Sequence, residues 1–387
     1  MNHNVIIVSQ LLGPFSDIVE ELITNGFKVF LITGDNIKYK SKDLVLFKAA
    51  SLDRKTIFTR FYSWAKFVLY SLIIIWKLDR KYLILVSTTP PLLPWVALMF
   101  KLIRDQKYLI RILDIYPETL YANKIISKNN PIYKIWIRLN YCSYKKADKI
   151  ICIGKIMMDR IRIYLNSENH NKLNVIPDWS DTDYLKPIKK INNPFSKKYS
   201  LIEGITVMYS GNIGITHDIS ILLDLAKELR YDKRFNFVII GDGIKKEKLR
   251  LESINQNLDN IIFFPYQDRD QFNYTMSAAD ISVVSIQEGS EGLMMPSKTY
   301  SGMAVGSVIL GISQPPNDME YIIKKYNCGF NIVPGDINSA KEKLKFFADN
   351  YQSLLQFKRN SRRCAVKHFN RIMNTQRIID VLNKEYG

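Results

Sequence analysis

Two doubly wound α/β domains are what this chain's sequence predicts, and three observations predict them. Short β-branched runs alternate with helix-like segments along most of the 387 residues, the pattern of parallel sheets covered by helices. The alternation stops over Pro177–Gly204, where Pro177, Pro187 and Pro194 stand among Asp, Lys and Asn without periodicity, and then restarts. The length suits two domains better than one. The expected division is a first domain over residues 1–180, a linker over 181–203, a second domain over 204–362 and a final helix within 363–387. Two similar halves on a linker predict a bilobed molecule with a cleft.

In the first half, Val5–Val8, Val29–Ile32, Leu83–Val86, Tyr108–Leu113, Lys149–Ile153 and Asn174–Ile176 read as strands. Helices are expected over Phe15–Thr24, Ile57–Leu78, Leu92–Ile103 and Pro131–Lys146, with Thr33–Ala50 as a long loop. In the second half the strands are Thr206–Tyr209, Phe237–Ile240, Ile261–Phe264, Ile281–Ile286, Val308–Leu310 and Gly329–Val333. Helices are expected over Asp218–Arg230, Lys245–Ile254, Gln271–Ala278 and Asn317–Lys325, and a last one over Cys364–Asn383.

Composition narrows the class. Hydrophobic residues make up 47% and charged residues 24%, a globular balance. Cys142, Cys152, Cys328 and Cys364 are widely spaced and indicate neither a disulfide framework nor a zinc site. The net charge of +18 suits a polyanionic substrate or an anionic membrane surface. Without a basic tail or an aromatic-basic ladder, nucleic acid is not the expected partner. The longest apolar run, Phe67–Trp76, lies between Lys66 and Lys77 and is far shorter than the roughly 20 residues of a spanning helix.

The stretch Glu288–Gly306 (EGSEGLMMPSKTYSGMAVG) carries the most chemistry. It leaves a strand, crosses a polar loop and enters a helix that Pro296 is expected to open. Helix starts at the carboxyl ends of strands are anion sites in open α/β sheets. Lys298 sits in that first turn, where the helix dipole disfavours a cation, so an anion is the expected counterpart. An ordinary surface helix start explains the Pro-Ser-Lys tripeptide equally well; context decides between them. Ser210–Gly214 and Gly241–Gly243 are two further small-residue loops at strand ends, and glycine there lets backbone N–H groups approach a ligand. Neither loop is a dinucleotide fingerprint or a P-loop. The triplets Asp181-Thr182-Asp183 and Asp268-Arg269-Asp270 would suit a divalent metal, but linker turns and helix caps account for them. In the first half, Asp114 and Glu118 flank a Tyr-Pro turn after a strand, placed either to orient an acceptor hydroxyl or simply to cap the turn. Gly13 and Thr88-Thr89 also lie at strand ends. The helix over 57–78 mixes Phe61, Trp64, Phe67 and Trp76 with Arg60, Lys66 and Lys77, a composition for a lipid interface or for a core helix.

Taken together, Arg111–Glu118 (RILDIYPE), Val175–Trp179 (VIPDW), Tyr209–Gly214 (YSGNIG), Ile240–Gly243 (IGDG), Ala279-Asp280 and Glu291–Tyr300 (EGLMMPSKTY) resemble a GT-B glycosyltransferase of the retaining family four. The branch most similar is that of L-fucosamine transferases of bacterial O-antigen and capsule assembly. The resemblance implies two Rossmann-like domains facing each other, a final helix crossing back to the first, and a nucleotide-sugar donor on the second. It implies no bound metal or cofactor. Gly211, Asn212, Gly214, Gly241, Gln267, Gly292, Ser297, Lys298 and Thr299 would hold the donor, and Lys298, Glu291 and Asp114 would serve catalysis. Gly13, Thr88, Thr89 and Glu118 would lie on the acceptor side. A UDP-sugar donor, a polyprenyl-diphosphate-linked or saccharide acceptor, and a place on the cytoplasmic face of the inner membrane also follow from it. The chain departs from the family where two glutamates are usual, with Leu293 and Ser301 instead, and the family's Arg and Lys pair after the glycine loop is not evident, His217 and Asp218 standing nearby in its stead. A nucleotide-sugar epimerase or hydrolase on the same fold, or a non-catalytic scaffold in polysaccharide assembly, are the competing readings.

Overall fold

The structure, a computed structural model, describes residues 3–37, 39–53, 56–214 and 219–386. The chain forms two compact units, one of Met1–Asp178, Gly292–Met295 and Ile372–Gly387, the other of Trp179–Glu291 and Pro296–Arg371.

The N-terminal unit is built on a parallel sheet of β1 (Asn4–Val8), β2 (Lys28–Thr33), β3 (Leu44–Lys48), β4 (Leu83–Ser87), β5 (Tyr108–Ile112), β6 (Lys149–Cys152) and β7 (Leu173–Val175). Their spatial order is β3-β2-β1-β4-β5-β6-β7. Every residue of β4 and β5 is buried, as expected of central parallel strands covered on both faces. The covering helices are α1 (Phe15–Thr24), α2 (Ile57–Lys77), α3 (Leu93–Arg104), α4 (Glu118–Ala122), α5 (Pro131–Lys146) and α6 (Lys155–Arg162). Helix α1 buries Phe15, Ile18, Val19 and Leu22, an i, i+3, i+4, i+7 face in which each side chain contributes about 1.5–3 kcal/mol. A capping box between Thr56 and Thr59 starts α2. The Arg104 guanidinium satisfies the other end by donating to the carbonyls of Ile75, Trp76 and Leu78.

The C-terminal unit repeats the plan with β8 (Ile205–Ser210), β9 (Phe235–Ile240), β10 (Ile261–Phe264), β11 (Ile281–Ser285), β12 (Val308–Ile312) and β13 (Gly329–Ile332). The order is β10-β9-β8-β11-β12-β13, again parallel throughout. Its helices are α7 (Pro194–Lys198), α8 (Ile221–Glu228), α9 (Lys246–Asn255), α10 (Phe272–Ser277), α11 (Lys298–Ala304), α12 (Asp318–Tyr326), α13 (Ile337–Asp349) and α14 (Tyr351–His368). Val207, Tyr209, Phe237, Ile239, Val283 and Leu310 anchor one face of the sheet against them. Asp280 ties the strand starts together: its carboxylate accepts from the Thr206 N–H at 3.0 Å and pairs with Lys190 and Lys358. The last helix, α15 (Arg371–Tyr386), packs in the N-terminal unit. There the Tyr386 hydroxyl donates to the Asn4 carbonyl and the ring sits against His3 and Phe27.

Both sheets reverse direction of growth at one point, between β1 and β4 and between β8 and β11. Ligands of open α/β sheets bind outside the carboxyl ends of the strands at such switch points.

Four sequence expectations are corrected. Leu44–Lys48 is an edge strand inside the expected loop; its half-exposed faces and lysine-rich surroundings hide the strand signal. Residues 194–198 of the expected linker form α7, whose Phe195 packs on Phe264. Pro296 does not open its helix, which begins at Lys298 behind Ser297. The final helical stretch is two helices, broken at Phe369-Asn370, where Asn370 donates to the Thr182 hydroxyl at 2.5 Å. His217 and Asp218 lie outside the described residues.

Candidate active site

In the C-terminal unit, the loops after β8, β9 and β11 converge on Lys298. Its ammonium donates to the Tyr209 hydroxyl at 2.8 Å and lies 4.5 Å from the centre of that ring. The side chain crosses directly over Gly211: a Cβ there would stand 2.0 Å from the Lys298 Cε. Gly211 also has φ +145°, where a side chain is strained. Gly241 meets the same loop from the other side, and a Cβ on it would fall 1.9 Å from the Gly211 carbonyl oxygen. Backbone bonds from Gly211 to Ile240 (2.9 Å) and from Ile213 to Asp242 (2.8 Å) fix the two loops together. These glycines therefore allow loop against loop and lysine against backbone. Lys298 spans the β8/β11 switch point as a result.

The electrostatics of Lys298 are unusual for a lysine. Burial, with no compensating charge, pulls its pKa down to about 8. Among the described residues no carboxylate forms a salt bridge with it. Desolvating an ammonium is costly unless an anion pairs with it. The same segment holds other unmet groups. Gln287 Oε1, Glu291 Oε1 and Thr299 Oγ1 are buried without a hydrogen-bond partner among the described residues, and such atoms are destabilising until paired. Ser297 and Asn212 are exposed, Gly214 is half-buried with a Cβ position 2.8 Å from Asn212 Nδ2, and Gln267 bonds the Pro265 carbonyl. Gly211, Gly241 and Lys298 thus meet directly. Among the described residues Gln267 makes no hydrogen bond to them.

Ser301, where a glutamate was expected, receives the Ser180 hydroxyl at 3.4 Å inside this unit. The Asp-x-Asp triplets have structural work: Asp181 caps the turn at Asp183 and Tyr184 (3.0 and 2.9 Å), while Asp270 accepts from Gln271. Among the described residues no group of three His, Cys, Asp or Glu is placed to hold a metal ion.

The N-terminal unit carries the other residues. The Thr88 hydroxyl accepts from the N–H groups of Leu113 (3.0 Å) and Asp114 (3.2 Å), which sets the turn after β5. Asp114 bridges to Met294, and the Ile115 N–H donates to the Leu293 carbonyl at 2.9 Å. The turn is thereby laced to Gly292–Met295. The Thr89 carbonyl accepts from Gln10, and Gly13 begins the turn into α1 with φ +40°. Glu118 accepts from the Tyr164 hydroxyl; burial raises its carboxyl above the usual range despite that bond and the nearby Arg160 and Lys128. Arg111 is fully buried and paired with Asp178, which explains part of two motifs as a structural ion pair. Tyr164 and Arg160 were not singled out in the sequence, and Tyr209 stood there only as part of the YSGNIG motif, without a role of its own. Tyr209 was findable, since it immediately precedes the glycine loop.

Residues 194–364 match the family described as Glycosyl transferases group 1. Over 268 residues the chain is 24% identical to the protein named glycosyltransferase WbjE of Pseudomonas aeruginosa, covering 69% of this chain and 66% of that one. Over 172 residues it is 28% identical to WcaI of Escherichia coli (strain K12), named for glycosyl transfer in colanic acid biosynthesis, covering 41% of this chain and 39% of that one. Each alignment thus spans less than two thirds of the relative. Among solved structures, Anabaena HepE in complex with UDP-glucose superposes with a TM-score of 0.73 at 12% identity, covering 98% and 99% of the two chains. That likeness is one of fold. Residues 194–364 thus match the group 1 glycosyl transferases, in a chain whose overall fold is that of the solved structure of HepE.

Proposed function

We propose that the protein transfers a sugar, with retention of configuration, from a UDP-sugar to a lipid-linked or saccharide acceptor in the building of a bacterial surface polysaccharide. The observation that carries this reading is Lys298, an ammonium half-buried at the β8/β11 switch point without a carboxylate partner among the described residues. A diphosphate is the anion that the surrounding loops suit. The complex of HepE with UDP-glucose and the naming of WcaI for colanic acid synthesis support the donor and the context.

In this reading Gly211, Asn212 and Gly214 admit the diphosphate, Ser297 and Lys298 bind it, and Gly241, Gln267 and Thr299 complete the donor pocket. Glu291 and Gly292 contact the transferred sugar, while Asp114 meets the acceptor, with Gly13, Thr88, Thr89 and Glu118 on the acceptor side. The acceptor oxygen forms its bond to the anomeric carbon on the face the leaving group departs. The bond from that carbon to the phosphate oxygen breaks, and the acceptor's proton passes to the departing diphosphate. Lys298 neutralises the charge that develops there, which is the work of a preorganised cation. No metal ion is required for that role.

Helix α2 supports a membrane surface as the working location. Phe58, Tyr62, Leu69, Ile73 and Trp76 are exposed along one stripe of it, Lys66 and Lys77 flank that stripe, and Ile57–Lys77 holds no acidic residue. Apolar and cationic groups in this arrangement suit an anionic bilayer interface. No helix among the described residues is long and apolar enough to cross a membrane. The test of the central reading is turnover of UDP-sugars by Lys298→Ala. We expect kcat lower by roughly 100- to 1,000-fold, the loss of one such stabilising group, with the melting temperature preserved. Undiminished transfer would remove the proposal.

A further inference from the structure

Past the end of α11 remote from Lys298, the C-terminal unit has a groove of about 470 Å³, with α14 as one wall and Pro187 and Gly306 on the other side. Helix α14 (Tyr351–His368) carries no acidic residue. Its Arg359, Arg363 and Lys367 line the groove at intervals of four and are exposed. Like charges at that spacing destabilise a helix, so the face is built at a cost to α14. Among the described residues none of the three forms a salt bridge. The guanidiniums of Arg359 and Arg363 donate instead to the side-chain amide oxygens of Gln356 and Asn360, at 2.8 and 3.1 Å.

Arg362 lies deeper. It donates to the carbonyls of Leu185 (2.8 Å), Ala304 (2.6 Å) and Thr182 (3.0 Å), all of them neutral acceptors. Lys358 is paired with Asp280, and Asp183 acts on Arg362 through space. The cationic charge of the groove is therefore uncompensated on balance. Its occupant is an anion with repeated charges.

Spacing and lining narrow the class. Four residues of helix rise about 6.0 Å, and every second residue of an extended peptide about 6.6 Å. Carboxylates on alternate residues would thus meet Arg359, Arg363 and Lys367 in turn, and arginine takes carboxylate in two-pronged fashion. The residues between them would face the opposite wall at Pro187. Single-stranded nucleic acid has similar charge spacing, but it is held by aromatic stacking platforms, and the groove has no aromatic lining. Interfacial lipid binding presents an apolar face outward, whereas here the buried Gly306 and half-buried Leu355 lie deeper than the exposed cations. A second copy of this chain would bring a further net charge of +18.

We propose that this groove is a docking surface for an extended acidic segment of a partner protein, with carboxylates on alternate residues paired to Arg359, Arg363 and Lys367. It is independent of the transfer reaction and places the partner away from Lys298.

The test is fluorescence anisotropy on the full chain with a labelled seven-residue peptide of alternating Glu and Val. Affinity should be micromolar and weaken by about tenfold or more between about 0.05 and 0.5 M salt. The same peptide with Gln for Glu should bind at least about tenfold more weakly, and a peptide with its four Glu in one block at least about threefold more weakly. Arg359→Ala/Arg363→Ala should lose about tenfold or more at an unlowered melting temperature. Lys367→Ala, at an exposed end of the groove, should lose about threefold and gives the reading even if the double variant melts early. Peptide binding that is absent, or unchanged in these variants, would overturn the assignment. Equal affinity for the block peptide would overturn the alternating register. An oligothymidylate that displaces the peptide and binds more tightly would make the ligand a nucleic acid. Loss of binding to anionic phospholipid vesicles in the double variant would make it a lipid surface, and either result would overturn the acidic peptide.

Discussion

At the scale of residues, Lys298 and Gly211 form one device. The lysine is held over the glycine with its pKa lowered to about 8 from an ordinary 10.5. The sign of the linkage follows. Below about pH 8 the folded protein carries a charge that burial disfavours, and as pH rises from there towards 10.5 the unfolded chain holds the extra proton, so stability of the unliganded protein rises across that window. Binding of a diphosphate runs the other way. It needs the charged form, so UDP affinity should fall above pH 8 by up to about tenfold per pH unit. Calorimetry at several pH values should show this slope in the unmodified protein and a flatter profile in Lys298→Ala. Gly211→Ala should destabilise by about 1–3 kcal/mol through backbone strain, and should also displace the ammonium. Chemical denaturation together with UDP binding would register both losses; a variant that keeps full affinity would show that the close approach is incidental. Lys298 was legible in the sequence because Pro-Ser-Lys follows a strand and a glycine loop. Its contact with Tyr209 was not, because the two residues are joined only by tertiary structure, and the Arg111–Asp178 pair was hidden for the same reason.

At the scale of elements, α2 is apolar on two faces. Trp64, Phe67 and Ile75 are buried, while Phe58, Leu69 and Trp76 are 87%, 60% and 58% exposed. The triple variant Phe58→Ser/Leu69→Ser/Trp76→Ser should change stability little, since exposed substitutions away from special features stay within about 0.5 kcal/mol each. Its binding to vesicles containing anionic phospholipid should fall by about tenfold or more, and the unmodified protein's binding should weaken with salt. Equal sedimentation of both proteins with such vesicles would assign the stripe elsewhere. The inward and outward faces explain why the sequence left this helix open between core and interface: both were correct for different faces. Strands such as β4 and β12 were readable from their short apolar runs, Leu83–Val86 and Val308–Leu310. Strand β3 was not, because at an edge only part of Leu44–Lys48 is buried, and the break between α14 and α15 carries neither glycine nor proline to announce it.

At the scale of the whole molecule, the chain's last helix completes its first unit. Ile378, Ile379 and Leu382 of α15 are buried, Tyr386 bonds to Asn4, and Lys107 reaches the Glu385 carbonyl at 2.6 Å. Ending the chain at Asn370 should therefore lower the melting temperature by more than about 5 °C, since each lost apolar side chain is worth about 1.5–3 kcal/mol. Scanning calorimetry would show the change, and an unaltered transition would mean that α15 is dispensable to that unit. The parallel character of the two sheets was implicit in the alternation read from the sequence, but the switch points that fix where a ligand binds depend on strand order, which no local signal carries.

Pairing of Lys298 with a nucleotide diphosphate is the central claim. Titration of UDP at pH 7 into the unmodified protein and into Lys298→Ala tests this most directly. Micromolar to millimolar affinity is expected for the former and a loss of roughly tenfold to a hundredfold in the variant, the worth of one charge-assisted contact, at a melting temperature that is not lowered. Equal affinity in the two proteins would contradict it.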